Sequence, residues 1–410
     1  MRALYNFFIR KNRENRADSI IFGSIIILVM IGIIMIFSSS YYVAVARFNR
    51  GIFHFTLQQS RAVFIGVVIM FCASFFDYRK LKIPILLGYV LACGLLVYVW
   101  RFGEDISNVR RWIEIGPLPG FQPSEFAAVM VVLMLSLYLS SEKNDSYIDG
   151  KPALAAVKLI RLLIALSIIA IPTFLVMQGG NVAAVLILAT VGCIIIFVSS
   201  KHFIPYIGVA GLASAIGFFL VREVIFVQEG GGMHGDRFRA WRDLYAYQDT
   251  IGHQTIQSLY AVASGGWFGL GLGQSNQKQL ILPEAYNDFI FAILIEEAGL
   301  FGALIVLVLF GVIIWRGLSV ARRSPNMFGA LIATGAVTLI AVQVLINVAV
   351  VLNIIPNTGS PMPFISYGGT SVVFNLALMG ILLNVSRFAK NEPTKLLTKD
   401  TKTRAVKSEG

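Results

Sequence analysis

The feature that most constrains this chain is a series of ten apolar runs, each near the length at which a helix crosses a bilayer. A crossing takes about 20 residues. The runs lie near 19–40, 61–77, 83–101, 122–141, 159–178, 180–199, 203–223, 288–315, 327–352 and 366–387. Hydrocarbon offers no partner to backbone N–H and C=O groups, so a crossing segment must satisfy them internally, as a helix does. The chain therefore reads as an all-α polytopic membrane protein with about ten transmembrane helices. Composition agrees: 57% of the 410 residues are hydrophobic and only 14% are charged, against about 25% charged in a soluble domain. Gln178-Gly179-Gly180-Asn181 divides the fifth run from the sixth and predicts a tight turn there.

Charge placement orients the bundle. With the N-terminus inside, 23 of the 34 basic residues fall on inner segments and 11 on outer ones, the bias expected of cytoplasmic loops. Both termini are then cytoplasmic, which an even number of crossings permits. The organisation is a basic N-terminus (1–18), a membrane domain (19–390) with a large extracytoplasmic loop (222–287), and a basic tail (391–410). The formal charge of +12 is thereby explained by topology, and no nucleic-acid partner is expected. The tail either fixes topology or binds anionic lipid, and the charge bias already accounts for the first. No cleavable signal peptide is expected, because the first run is long enough to stay in the membrane. Cys72, Cys93 and Cys193 are odd in number and lie in apolar runs, so they read as small buried hydrophobes. His54, His202, His234 and His253 show no metal-ligand spacing, and no metal site is expected.

The chemistry-bearing residues crowd the outer face. A loop as long as 222–287 rarely lacks a function, and its acids, arginines, aromatics and glycines predict short amphipathic or re-entrant helices. At its end, Leu282-Pro283-Glu284 precedes Asp288, which stands where the eighth helix begins. Such an acid either caps the helix or accepts a proton from a substrate hydroxyl. Glu296 and Glu297 sit deeper, where acids are costly and face a bundle interior or a wet cavity; for Glu297 a helix–helix hydrogen bond made by its protonated carboxyl is expected, while Glu296 stays open. Ser264-Gly265-Gly266 through Gly273-Gln274-Ser275 is too glycine-rich for ordinary packing and lets backbone approach a ligand or another helix. It is neither a P-loop nor a Rossmann turn. Arg110-Arg111-Trp112 either grips a phosphate or anchors a helix, and Gln122-Pro123-Ser124-Glu125 opens the next one. From Asn347 to Ser371, three prolines and three glycines interrupt two apolar runs with no carboxylate, lysine, arginine or histidine among them; shape and hydrogen bonding are its expected work.

Together these blocks resemble the FtsW/RodA/SpoVE (SEDS) family of peptidoglycan glycosyltransferases. The family pattern P-x-T-G-x-P-x-P-F-I-S-Y-G-G-[ST]-S matches Pro356 to Ser371. Arg111-Trp112-Ile113 with Phe121 to Glu125, Gly265 to Gly273, and Leu282 to Glu284 with Asp288 to Ala292 and Glu296-Glu297 agree in order. Gly271 to Lys278 is more similar to the division branch (FtsW, SpoVE) than to RodA. The chain departs from the family pattern at Ala128, where a Lys is common, at Gly179-Gly180-Asn181, at His253 and at Tyr286-Asn287.

The resemblance implies polymerisation of lipid II, the undecaprenyl-linked disaccharide peptide, at the outer leaflet of the bacterial cytoplasmic membrane. It makes Asp288 the catalytic carboxylate, a general base in an inverting displacement of undecaprenyl diphosphate. Arg237, Arg239, Arg242 and Lys278, with Arg111 and Trp112, are expected to serve the substrate and its leaving diphosphate. Gln254, Glu284, Ser366 and Tyr367 complete the expected substrate-binding set, and Glu125 and Glu296 are structural or functional acids. No cofactor is required; Mg or Mn would ride on the diphosphate. A class B penicillin-binding protein and other division or elongation proteins are the implied partners. A lipid-precursor transporter (flippase) and a non-catalytic division scaffold are the rival classes. Transporters place their sites at the midplane, whereas here the polar motifs gather at one face.

Overall fold

A computed structural model describes residues 16–103, 111–113, 120–141, 147–148, 151–152, 155–199 and 233–389. Its helices are α1 (Ser19–Ala46), α2 (His54–Phe75), α3 (Lys82–Phe102), α4 (Pro123–Ser141), α5 (Ala155–Gln178), α6 (Val182–Ser199), α7 (Met233–Arg242), α8 (Gly252–Gly265), α9 (Ile290–Arg323), α10 (Met327–Val351) and α11 (Gly369–Phe388). Two-residue strands Tyr147–Ile148 and Lys151–Pro152 form a small hairpin between α4 and α5. Nine helices among the described residues are long and apolar enough to cross a membrane. The remaining expected run, 203–223, lies outside the described residues.

The bundle is layered by burial. α10 and α11 have 72% of their most apolar window inside the protein, whereas α3 has 22%. α10 packs on α4, α6 and α9, and α11 lies along α2. The α2–α11 crossing is close because a Cβ at Gly380 would meet the backbone of Met70. Phe64, Ile83 and Leu87 are exposed on α2 and α3, as lipid-facing side chains must be.

Two helix ends differ from their apolar runs. α2 begins at His54, well before 61, because Gln58, Gln59, Ser60 and Arg61 interrupt the hydropathy but not the helix. Gln59 then accepts from Gly368 N at 3.1 Å and donates to Ser366 O at 3.3 Å. α11 begins only at Gly369, since the turns of Met362 to Gly368 occupy the residues before it. The expected turn between α5 and α6 is present, with Gly180 at φ +70° and Asn181 Oδ1 accepting from Ala184 N at 3.2 Å.

The long loop enters the bundle. α8 descends until Gly265 meets the backbone of Ile295 and Glu296, so closely that any Cβ would overlap it. There α9 is broken at Gly299, whose φ is +70°. The glycine-rich return segment repairs the break: Leu270 N and Gly271 N donate to Glu296 O and Glu297 O at 2.9 and 3.0 Å, while Leu300 N and Phe301 N donate to Gly266 O and Trp267 O at 3.0 and 3.2 Å. Irregular backbone at this depth is tolerated because protein satisfies it. The glycines therefore serve approach to another helix rather than to a ligand.

The deep acids are anchored by the same segment. Lys278 Nζ lies 2.7 Å from Glu297 Oε1 and 3.0 Å from Ser38 Oγ on α1, with the lysine and glutamate side chains 0% exposed. The expected helix–helix hydrogen bond of Glu297 is present, Ser38 Oγ of α1 donating to its carboxylate at 2.7 and 2.8 Å, but in place of the protonated carboxyl expected there is an ion pair with a lysine 19 residues earlier in sequence. Glu296 accepts from Asn276 N at 3.0 Å and from Ser275 Oγ. Its role in the fold is to hold the return segment.

Candidate functional site

Asp288 stands at one mouth of the bundle, just before α9. Capping does not explain it: α9 starts at Ile290 after Phe289, with no side-chain cap. Its carboxylate instead faces Gly359, where an added Cβ would lie 3.2 Å from Oδ2 and 3.9 Å from Arg237 Nη1. Gly359 sits at φ +70°, a conformation that suits glycine, and the lack of a side chain lets its backbone come close to the carboxylate.

Three separate stretches build this mouth. α7 supplies Arg237, which donates to Asn357 O at 3.4 Å. α8 supplies Gln254, whose Oε1 accepts from Asn357 Nδ2 at 3.1 Å. The α10–α11 connection supplies Asn357 to Ser360, with Asn357 Oδ1 accepting from Gly359 N at 3.0 Å. Asn347, wholly buried on α10, ties the α10–α11 connection to the turn that carries Asp288 by donating to Asp288 O at 2.9 Å and Ser360 O at 2.7 Å. Sequence reading passed over Asn347 as the edge of a motif; its signal was an amide inside an apolar run, a placement that needs a partner.

The arginines do not clamp onto the carboxylate. The ion pairs Arg239–Asp236, Lys278–Glu297 and Arg316–Asp18 do not involve Asp288. Arg237 and Arg111 act on Asp288 through their charge, without an ion pair to it. Burial first and the Glu284 charge second push the Asp288 carboxyl from its ordinary 3.8 up to about 6, against the opposing charges of Arg237 and Arg111. Burial also lowers Arg111 to about 10, with Arg237 adding to the fall and Asp288 opposing it, so the guanidinium stays charged at neutral pH. Burial lowers Arg237 too, and Asp288 counteracts it.

This arrangement predicts an acid limb. A deprotonated Asp288 serving as a base would make kcat/KM rise with pH through about 6. Glu284→Gln removes a negative neighbour and moves the limb to lower pH, whereas Asp288 titration elsewhere in the mechanism would leave it in place. Reaction rates of both proteins across the acid range provide the check.

The other expected site residues divide in two. Arg111 donates to Gly180 O, Trp112 packs its ring against Gly120, and Ile113 pairs with Phe121, so this short bridge brings Arg111 into the field of Asp288. Glu284 adopts φ +54° in the turn leading to Asp288. By contrast, Arg239 is exposed and paired with Asp236 at 2.6 Å. Lys278 is enclosed with Glu297 and Ser38, which corrects its expected place beside the diphosphate: its side chain runs inward to bond a deep acid. Ser366 is buried, its Oγ accepting from Met362 N at 2.7 Å. Tyr367 donates through its hydroxyl to Gln58 at 2.5 Å and through its N–H to Tyr286 O at 3.0 Å. Those two residues brace the motif against α2 and the Asp288 turn. Glu125 bonds Ser371 at the start of α11, and Asn181 Nδ2 reaches Ser124 Oγ at 3.4 Å. Arg110 lies outside the described residues.

Fold and site define a multi-pass membrane protein whose polar machinery surrounds one carboxylate at one mouth of the bundle. The chain belongs to the FtsW/RodA/SpoVE family, whose model, described as "Cell cycle protein", matches residues 18–391. It is 35% identical to the probable peptidoglycan glycosyltransferase FtsW of Bacillus subtilis (strain 168), over 94% of each chain. It is also 35% identical to Stage V sporulation protein E of that organism, over 89% of this chain and 95% of the relative. Among solved structures, Thermus thermophilus rod shape determining protein RodA superposes with a TM-score of 0.65 at 21% identity, covering 92% of this chain and 98% of RodA. A chain from a solved peptidoglycan synthase complex gives 0.70 at 21% identity, covering 92% of this chain and 99% of that one. At such identities these two likenesses speak to fold alone.

Proposed function

We propose that this protein is a peptidoglycan glycosyltransferase that polymerises lipid II into glycan strands at the outer face of the cytoplasmic membrane. The observation that carries the mechanism is Asp288: a carboxylate not used as a helix cap, raised to about 6 by burial, and flanked but not ion-paired by Arg237 and Arg111. The names of its relatives support the activity.

In the reaction, the GlcNAc 4-hydroxyl of one lipid II attacks the anomeric carbon of the lipid-linked chain end. The new C–O bond forms as the bond to undecaprenyl diphosphate breaks, and the α linkage inverts to β. Asp288 takes the hydroxyl proton, and the diphosphate carries away the electron pair. Arg237 and Arg111 oppose the charge developing on that leaving group, and Mg or Mn on the diphosphate would add to them. The charge bias of the sequence supports cytoplasmic termini, which puts Asp288 at the outer mouth. A class B penicillin-binding protein is the proposed partner that crosslinks the product. Description of one structural neighbour as part of a complex coordinating polymerization and crosslinking supports that assignment.

Reconstituted protein, alone and with its cognate penicillin-binding protein, is expected to convert labelled lipid II into a ladder of glycan strands on a gel. Transbilayer movement of lipid II without any polymer in either preparation would instead establish the transporter reading.

A further inference from the structure

Among the described residues, no hydrogen bond or ion pair holds the Asp288 carboxylate. The residue also precedes α9, so it stands in a turn and not in a helix. Where the carboxylate points is therefore set by how that turn is fixed. Tyr367 N holds the carbonyl of Tyr286 at 3.0 Å. The tie at Asp288 itself is Asn347, whose Nδ2 donates to Asp288 O at 2.9 Å and to Ser360 O at 2.7 Å.

Asn347 is wholly buried, and Ile340, Val344 and Val351 near it on α10 are buried and apolar. Its Oδ1 is buried with no hydrogen-bond partner. A buried polar atom without a partner costs stability, so packing alone would favour an aliphatic side chain here. The amide is explained by its two donors. The hydroxyls of Thr358 and Ser360 are also buried without partners and do not anchor their segment. Gly359 lies between them, with its backbone against the carboxylate. One amide thus joins the turn carrying Asp288 to the segment that faces it.

We propose that Asn347 is a positioning residue for glycosyl transfer: it fixes the carbonyls of Asp288 and Ser360 against each other, and so sets where the carboxylate stands relative to Gly359 and Arg237. The proposal rests on the reading of Asp288 as the base. A reacting group misplaced by about 1 Å loses on the order of 10²-fold in rate. The groups whose charge reaches Asp288 are Glu284 and Tyr286 of its own turn, Arg237 of α7 and Arg111 of the 111–113 bridge. Asn347 is uncharged, so a substitution there alters the titration of Asp288 only by moving it.

The test compares Asn347→Ala with Asn384→Ala in the full chain. Asn384 is a buried amide of the same kind, its Oδ1 accepting from Tyr78 N at 3.0 Å and its Nδ2 donating to Ser74 O at 2.8 Å. It stands near the far end of α11, roughly 22 Å along the helix from Gly369. Both variants are expected to melt lower than wild type. Only Asn347→Ala lowers kcat, by about 10²-fold, with KM held. It also moves the acid limb from about 6 toward the ordinary 3.8, because a freed turn admits water to a carboxyl raised chiefly by burial. Asn347→Gln keeps both donors but displaces them by one methylene; it shows smaller changes of the same sign, and stands in for the alanine variant should that fail to fold. The infrared band of the protonated Asp288 carboxyl, identified by its loss in Asp288→Asn, is titrated in each protein and reports position without turnover. Absence of polymer from wild type would therefore overturn the glycosyltransferase reading, while a shifted band in the Asn347 variants would still uphold the clamp. An unshifted band, or activity lost only in step with the folded fraction as in Asn384→Ala, would overturn the proposal.

Discussion

Asp288→Asn is expected to reduce glycan polymerisation by about 10²–10⁴-fold, the range a positioned general base contributes, while the protein remains folded. The substitution keeps the volume of the side chain and leaves Arg237, Arg111 and the Asn347 clamp on the Asp288 carbonyl in place. It removes only the group that accepts the proton. Stability moves the other way. The folded protein holds the Asp288 proton more tightly than an unfolded chain does, since the group sits at about 6 against its ordinary 3.8. Between those values the folded state binds more protons, so this group's stabilising contribution is lost as pH rises through about 6. At neutral pH the neutral Asn therefore melts no lower than wild type. A gel of products from labelled lipid II, paired with thermal melting in detergent, reads both effects. Full polymer from the folded variant would remove Asp288 from the chemistry.

The largest structural effect is expected at Lys278 and Glu297. Their ion pair lies wholly inside the protein, shared with Ser38. Lys278→Met leaves a carboxylate buried without its cation, and Glu297→Gln leaves the converse, at a cost of about 3–5 kcal/mol in either case. Removing both charges together abolishes the mismatch, so Lys278→Met/Glu297→Gln recovers most of the loss. The order of melting temperatures is then wild type, double variant and single variants. Singles as stable as wild type would show that the pair is not buried as described. Because the pair ties the glycine-rich return segment to α1 and to the break in α9, the single variants also weaken the floor beneath the catalytic mouth.

Much of this architecture is visible in the sequence because lipid imposes a simple rule. Runs such as 327–352 and 83–101 closely match the helices Met327–Val351 and Lys82–Phe102. Where polar residues extend a helix beyond the hydrocarbon, as Gln58 and Gln59 do for α2, hydropathy starts the element late. The break at Gly299 is equally invisible to it, since neighbours on both sides are apolar and only a partner backbone from 266–271 makes the distortion affordable.

The sequence by itself determined the class of fold, the family, and Asp288 as the residue of interest, because backbone desolvation and long motifs are local properties. Tertiary structure decided which of the nearby charges act with it. Arg237 and Arg111 stand far apart in sequence yet share the field of one carboxylate, whereas Lys278, much nearer in sequence, turns inward to Glu297. A side chain's charge can be read from its letter, but its partner depends on which backbone segments meet, and here that was set by a broken helix and the glycine-rich loop that docks against it.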